Sequence, residues 1–190
     1  DGIYVKLPNK YKGNINTVIT IDYKKNQTYA ALPLTVTSQF KENKLEASGA
    51  TLKGNAHLET FTYSHYFGDW KHTTCITGLK DVTDNLTFDV QIDQPGDYQI
   101  ILEYNCSSES AAQQGVIDFN KQTYYFKTLQ TGEFNSNLPM MFIKQRVVTA
   151  TVKQKGYYKI SVKPNANGKG LFNLKTIYVN PIVKNSSANT

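Results

Sequence analysis

The sequence holds little of what carries the commoner chemistries. Its 190 residues include two cysteines, one tryptophan and six prolines. Of the 21 basic residues only Arg146 is arginine, and no three basic residues are consecutive. Readers of nucleic acid lean on the planar guanidinium, which grips phosphate and guanine in a fork that lysine cannot reproduce. The net charge of +6 is therefore read as lysine spread over a solvated surface, and no nucleic-acid partner is expected. The apolar runs, such as Val18 to Ile21 and Met140 to Ile143, are far too short for a membrane helix, so no membrane partner is expected either. The chain opens on Asp1-Gly2 without a visible signal peptide, and reads as a mature protein or a piece of a larger one. The wide separation of Cys75 and Cys106 excludes CxxC redox or zinc-ribbon spacing. They either pair in an oxidising compartment or stand as two small buried apolar residues.

Catalytic motifs are missing too. There is no GxSxG elbow, no glycine-rich phosphate loop, no HExxH and no EF-hand loop. The only histidines, His57, His65 and His72, are not spaced to place two metal ligands on one face of a helix or strand, so they read as structural or surface residues. A carboxylate pair for glycoside hydrolysis could be drawn from Asp69, Asp81, Asp84, Asp89, Glu103 or Asp118. Separation decides that chemistry, and spacing along the chain does not supply it; Asp81 and Asp84 flank a turn, where Asx hydrogen bonds are the ordinary role. An enzyme is not expected. Four Asn-x-Ser/Thr triplets, at Asn26, Asn85, Asn105 and Asn185, are what an Asn- and Thr-rich chain produces by chance.

What the chain does have is apolar material in short alternating runs. Hydrophobic residues make up 39% and aromatics 12%, enough for one packed core. Leu86, Phe88, Val90 and Ile92 alternate with polar residues, as do Tyr98, Ile100, Leu102 and Tyr104. Such runs are half-buried strands, and Gln94-Pro95-Gly96-Asp97 between them predicts a hairpin. Similar runs flank Asn120-Lys121 and Lys155-Gly156, and a last strand from Leu171 to Val179 stops at Pro181. No segment keeps a helical period over ten residues. Strand-sized runs between turn signals predict an all-β chain, an antiparallel β-sandwich. Residues 1–43, with strands at Thr17–Tyr23 and Leu32–Val36, read as a part packing on the sandwich or as a separate lobe. Residues 44–184 read as the sandwich, and 185–190 as a polar tail.

One stretch departs from alternation. Phe61 to His72 crowds five aromatic residues and two histidines around Gly68-Asp69, including the only tryptophan, Trp70. Part of it is expected in a loop. Rings there either stack on the C–H face of a pyranose or cap the end of the core.

From Leu45 to Pro181 the chain resembles the β-sandwich carbohydrate-binding modules of families 6 and 35. Leu45 to Gly54 is similar to their first strand. Leu86 to Tyr104, around Pro95-Gly96-Asp97-Tyr98, looks like their central v-x-v-x-x-x-G-x-Y element. Thr131-Gly132-Glu133-Phe134 resembles their Thr-Gly-x-Trp turn with Phe replacing Trp, and Gly156-Tyr157-Tyr158 and Phe172-Asn173-Leu174 match their late strands. Asn16 to Ile21 looks like the d-T-V-I-x-L strand near the C-terminus of bacterial alpha-L-fucosidase-type glycoside hydrolases. The resemblance implies a jelly-roll, galactose-binding-domain-like fold and a secreted or periplasmic accessory region of such an enzyme. Its partners would be a glycan and the catalytic domain. It implies a loop-end sugar site between an aromatic loop and the loop before the last strand, here Tyr63, Tyr66, Trp70 and His72 facing Asn165 and Asn167. Some members only brace their catalytic domain, and a structural accessory role is the alternative. No cofactor is expected beyond the structural calcium of some members. Ser48 stands where those carry a second Glu, which leaves Glu46 alone as a candidate ligand.

Overall fold

Each long strand keeps the two-residue period seen in the sequence, and that period builds two sheets back to back. The computed structural model describes residues 33–67 and 70–182, apart from the side chains of residues 66, 67 and 70. Twelve strands run through these residues: β1 (Leu34–Val36), β2 (Lys44–Glu46), β3 (Thr51–Lys53), β4 (His57–Phe67), β5 (Trp70–Thr77), β6 (Asn85–Ile92), β7 (Gly96–Asn105), β8 (Gln114–Phe119), β9 (Gln122–Lys127), β10 (Ile143–Val152), β11 (Gly156–Pro164) and β12 (Asn173–Pro181). The first sheet has the order β1-β6-β11-β8-β9, with β3 also on β6. The second has the order β10-β7-β12-β5-β4, with β2 also on β12. All pairings are antiparallel except β1 with β6. The expected strand at Thr17–Tyr23 and the tail at 185–190 lie outside the described residues.

The topology corrects two hairpins expected from the sequence. β6 and β7 do not pair with each other, and neither do β10 and β11; each couple crosses from one sheet to the other. Alternation states which face of a strand is buried, not which strand it bonds. Here the apolar faces of β6 (Leu86, Phe88, Val90, Ile92) and β7 (Tyr98, Ile100, Leu102, Tyr104) belong to one buried core, which an arch between facing sheets buries from both sides. Both arches carry the same lock. Tyr98 donates its hydroxyl to the Gln94 carbonyl at 2.8 Å, and Tyr158 donates to the Gln154 carbonyl at 2.6 Å. The local sequences are Gln-Pro-Gly-Asp-Tyr and Gln-Lys-Gly-Tyr-Tyr. β8 and β9 do form the expected hairpin, with Asn120 and Lys121 both at positive φ (50° and 61°), the geometry of a tight two-residue turn.

A second, smaller cluster lies on the other face of β4 and β5. Ile76 enters the main core, so its neighbour Cys75 points away from it. There Cys75 packs with Tyr63, Met140, Phe61 and Phe142 under the chain that links β9 to β10. That link is stitched to β4 by the Ser64 N–H on the Ser136 carbonyl (2.7 Å).

Candidate functional site

The sandwich opens at one end into a cleft of about 250 Å³. Four segments meet there: the start of β4 (His57, Glu59), the end of β5 and its exit (Thr77 to Lys80), the exit of β7 (Asn105 to Ser110) and the entry to β12 (Lys169 to Asn173). Its lining is mostly polar or charged, with Leu79, Leu171 and Phe172 as the large apolar members. Phe172 stacks on Tyr104 at 4.7 Å and on Phe126 at 6.0 Å between centroids, which fixes the backbone immediately before Asn173. The Asn173 amide donates to Asn105 Oδ1 at 3.2 Å, and the buried Asn105 amide in turn donates to the Gly132 and Met141 carbonyls. Asn173 and Asn105 are thereby tied to the β9–β10 link.

A hydrogen-bonded chain runs along one wall. His57 Nδ1 lies 2.8 Å from the Asn55 carbonyl and Nε2 lies 3.1 Å from Thr77 Oγ1, and Thr77 donates to Glu59 Oε2 at 3.2 Å. Gly78 turns the chain away at φ +81°, and a Cβ there would sit 2.2 Å from the Asn55 carbonyl oxygen. Only glycine fits that approach.

Asp84 fixes the rim from behind. Its buried carboxylate accepts the N–H groups of Asn55 (2.7 Å), Asp81 (2.8 Å) and Lys80 (2.9 Å) and the Asn55 amide (3.1 Å). Burial works to raise its pKa, but these donors outweigh it and hold the carboxyl below its ordinary value. Asp84 is thus an ionised structural tie, close to the turn role read from the sequence.

The residues singled out in the sequence are not brought together here. Tyr63 is buried, with 5% of its surface exposed; its hydroxyl accepts the Met140 N–H and its ring packs near Phe134. It has no free face to offer a sugar. The described residues of this segment form the β4–β5 hairpin, with Phe67 paired to Trp70, and Gly68-Asp69, where a turn is expected, lie outside the described residues. β4 leaves the cleft at His57, and nine residue steps, roughly 30 Å of extended strand, carry it from His57 to Tyr66. Tyr66 and Trp70 therefore stand at the far end of the hairpin, away from the loop before β12; their side chains fall outside the described residues. Asn165 and Asn167 lie near the cleft but outside its lining, and both are engaged by protein: Asn165 with the Gln114 side chain at 2.9 Å, Asn167 with the Val82 N–H at 3.0 Å. His72 is exposed and shares a separate depression of about 330 Å³ with Glu46 and Lys175.

Glu46 does not fit a calcium site. Its carboxylate accepts the Thr176 hydroxyl at 3.2 Å and has Lys175 in the same depression, and no group of three or more His, Cys, Asp and Glu side chains gathers among the described residues. Calcium takes six to eight oxygen ligands, several from carboxylates. The cleft residues that sequence reasoning passed over are Glu59, Thr77, Lys169 and Asn173. Asn173 carried a signal as part of Phe172-Asn173-Leu174, and Lys169 as the end of the loop before the last strand.

No family profile and no curated protein sequence matches the chain. Solved structures do. A family 35 carbohydrate-binding module from Clostridium thermocellum superposes with a TM-score of 0.56 at 18% identity, over 73% of this chain and 96% of that one. A carbohydrate-binding module of Cellvibrio mixtus lichenase 5A, solved with cellotriose, gives 0.54 at 17% identity, over 74% and 97%. A family 35 module from Cellvibrio japonicus gives 0.54 at 11% identity, over 73% and 91%. The fold is accordingly the all-β, two-sheet jelly-roll sandwich of these modules.

Proposed function

We propose that this chain is a non-catalytic carbohydrate-binding module and that a glycan lies in the loop-end cleft, held by Glu59, Thr77, Lys169 and Asn173. One observation carries the reading: at one end of a sandwich shaped like carbohydrate-binding modules, four segments converge on a cleft lined mostly by polar and charged residues. Carboxylate, hydroxyl, amide and ammonium groups match the donors and acceptors of sugar hydroxyls. Hydrolysis of a glycosidic bond uses two facing carboxylates, whereas Glu59 is the one carboxylate in this lining. An open site of this size implies weak affinity, on the order of 10⁻³ to 10⁻⁵ M. The module would deliver a secreted or periplasmic glycoside hydrolase to its substrate; an alpha-L-fucosidase-type parent rests on Asn16 to Ile21 alone.

A glycan array followed by calorimetric titration of the hits tests this. Asn173→Ala and Glu59→Gln are each expected to weaken binding about tenfold while the far-ultraviolet circular dichroism stays unchanged. Hits unaffected by both substitutions would place the site elsewhere, and no hit at millimolar sugar would overturn the reading.

The bracing alternative is favoured by a different observation. Leu129, Leu138 and Met141 are each more than half exposed, and Phe134 is 36% exposed, all within the β9–β10 link. An apolar surface of that kind suits packing against a neighbouring domain. Increased self-association of the isolated chain, abolished by Leu138→Ser with Met141→Ser, is its expected sign.

A further inference from the structure

The other end of the sandwich carries a larger cleft, of about 900 Å³, between the β8–β9 turn, the end of β10 and the β10–β11 arch. Its lining includes Lys121, Lys153 and Lys155 and no carboxylate. None of the three lysines forms a salt bridge with a described residue. The lining also presents Tyr157, whose side chain is the most open of the described large hydrophobic residues at 75% exposure. The cleft is braced on both sides. Asn120 Nδ2 donates to the Thr151 carbonyl at 2.9 Å, holding the β8–β9 turn against β10, and the Tyr158–Gln154 lock holds the arch. Asp97 accepts the Thr151 hydroxyl at 2.6 Å but stands outside the lining.

We infer that this cleft is a second binding site, for an acidic polysaccharide bearing carboxylate or sulfate groups. Three ammonium groups without a neutralising carboxylate raise the local concentration of a polyanion. A free tyrosine ring beside them stacks on the C–H face of a sugar, and the Gln122 and Gln154 amides bond hydroxyls. Lysine point charges and a lone tyrosine, with no arginine fork in the lining, favour a sugar polyanion over a nucleic acid. The inference does not depend on glycan binding at the loop-end cleft, since no residue is shared.

Affinity gel electrophoresis of the whole chain tests it, with polygalacturonate, a sulfated galactan, a neutral β-glucan and single-stranded DNA as probes. Retardation by at least one of the two acidic polysaccharides is expected, falling steeply as salt rises through the Debye range; which one tells carboxylate from sulfate. Lys121→Gln, Lys153→Gln and Lys155→Gln together should weaken it about tenfold or more, and Tyr157→Ala about threefold to tenfold. Lys41→Gln, Lys53→Gln and Lys127→Gln remove the same charge elsewhere and should change it less than twofold. Equal loss in that control set, equal retardation by neutral β-glucan, no retardation by either acidic polysaccharide, or tighter binding of DNA through the same lysines would each overturn the inference.

Discussion

Thr77 joins His57 to Glu59 through a single hydroxyl, 3.1 Å from the imidazole Nε2 and 3.2 Å from Oε2 of the carboxylate. A hydroxyl has one proton to give. If it goes to Glu59, Nε2 must donate to Thr77, and Nδ1 also donates to the Asn55 carbonyl, so the ring holds two protons. If the ring is neutral with its proton on Nδ1, Thr77 donates to it and Glu59 loses a donor. Either way the three side chains are oriented as a unit at the mouth of the cleft. Thr77→Val should cost about 1 kcal/mol of stability, lowering Tm by roughly 2–4 °C for a domain of this size, and should weaken glycan binding; Thr77→Ser should restore both. An unchanged Tm in the valine variant would show that the bridge holds nothing in place.

The two sheet-crossing arches rest on the Tyr98 and Tyr158 hydroxyls. Tyr98 is 1% exposed, so its hydroxyl bonds the Gln94 carbonyl with little competition from water, and deleting it forfeits that bond. Tyr98→Phe is expected to destabilise by about 1–2 kcal/mol. Tyr158 is only half-buried, and Tyr158→Phe should cost less than half as much. Urea unfolding with an unchanged m-value measures both. If the two substitutions cost the same, burial does not govern the strength of these locks.

These arches also show what was legible in the sequence. The alternation in β6 and β7 gave the buried faces correctly, because burial is written in every second residue. Strand partners were not legible, because a hairpin and an arch impose the same alternation. The repeated Gln-x-Gly-x-Tyr was the available signal, but its meaning depends on a hydroxyl reaching back four residues. The site was less legible still. Glu59, Thr77, Lys169 and Asn173 come from three strand ends and a loop, and no local pattern marks residues that meet only through topology. The aromatic crowding between Phe61 and Trp70 was visible, with stacking and core capping both open, and Tyr63 takes the capping role: its ring packs on a second core.

Asp84 should make stability depend on acid. Its carboxyl titrates lower in the folded chain than in the unfolded one, so below about pH 4 the unfolded state binds more protons and stability falls as pH falls. The contribution is complete above the unfolded pKa and disappears as pH drops through the folded value. Asp84→Asn keeps the shape, removes the charge from three backbone donors, and should cost about 2–3 kcal/mol at pH 7. Its stability curve should also be flatter than the parent's between pH 5 and 3. A parallel loss in both proteins over that range would assign the acid sensitivity to other carboxylates.

Cys75 and Cys106 are both free and buried. Burial pushes the Cys75 thiol up to about 12, with Glu103 and Glu59 adding to the rise and Lys175 opposing it; burial raises Cys106 as well, against the Thr128 hydroxyl. The reactive species is the thiolate. At pH 8 the folded chain should therefore react with a disulfide reagent far more slowly than the unfolded chain, and the unfolded chain should release two thiols. A fast phase in the folded protein would mean that one of these sites opens locally.

Trp70 gives a direct test of where a glycan lies. It is the only indole in the chain and pairs with Phe67 at the tip of β4 and β5, whereas the proposed cleft begins at His57 and Thr77, the other end of the same two strands. Indole emission responds to groups within a few ångströms of the ring, and roughly 30 Å of strand separates tip from cleft. A sugar bound by Asn173 and Glu59 should therefore give a calorimetric signal while leaving Trp70 emission and its quenching by iodide unchanged. A sugar stacked on Tyr66 and Trp70 should instead shift the emission and protect the ring from iodide, and Asn173→Ala would leave that response intact. The two patterns exclude each other for any single binding event. A saturable fluorescence change that survives Asn173→Ala would return the site to the aromatic hairpin and leave the loop-end cleft without a ligand.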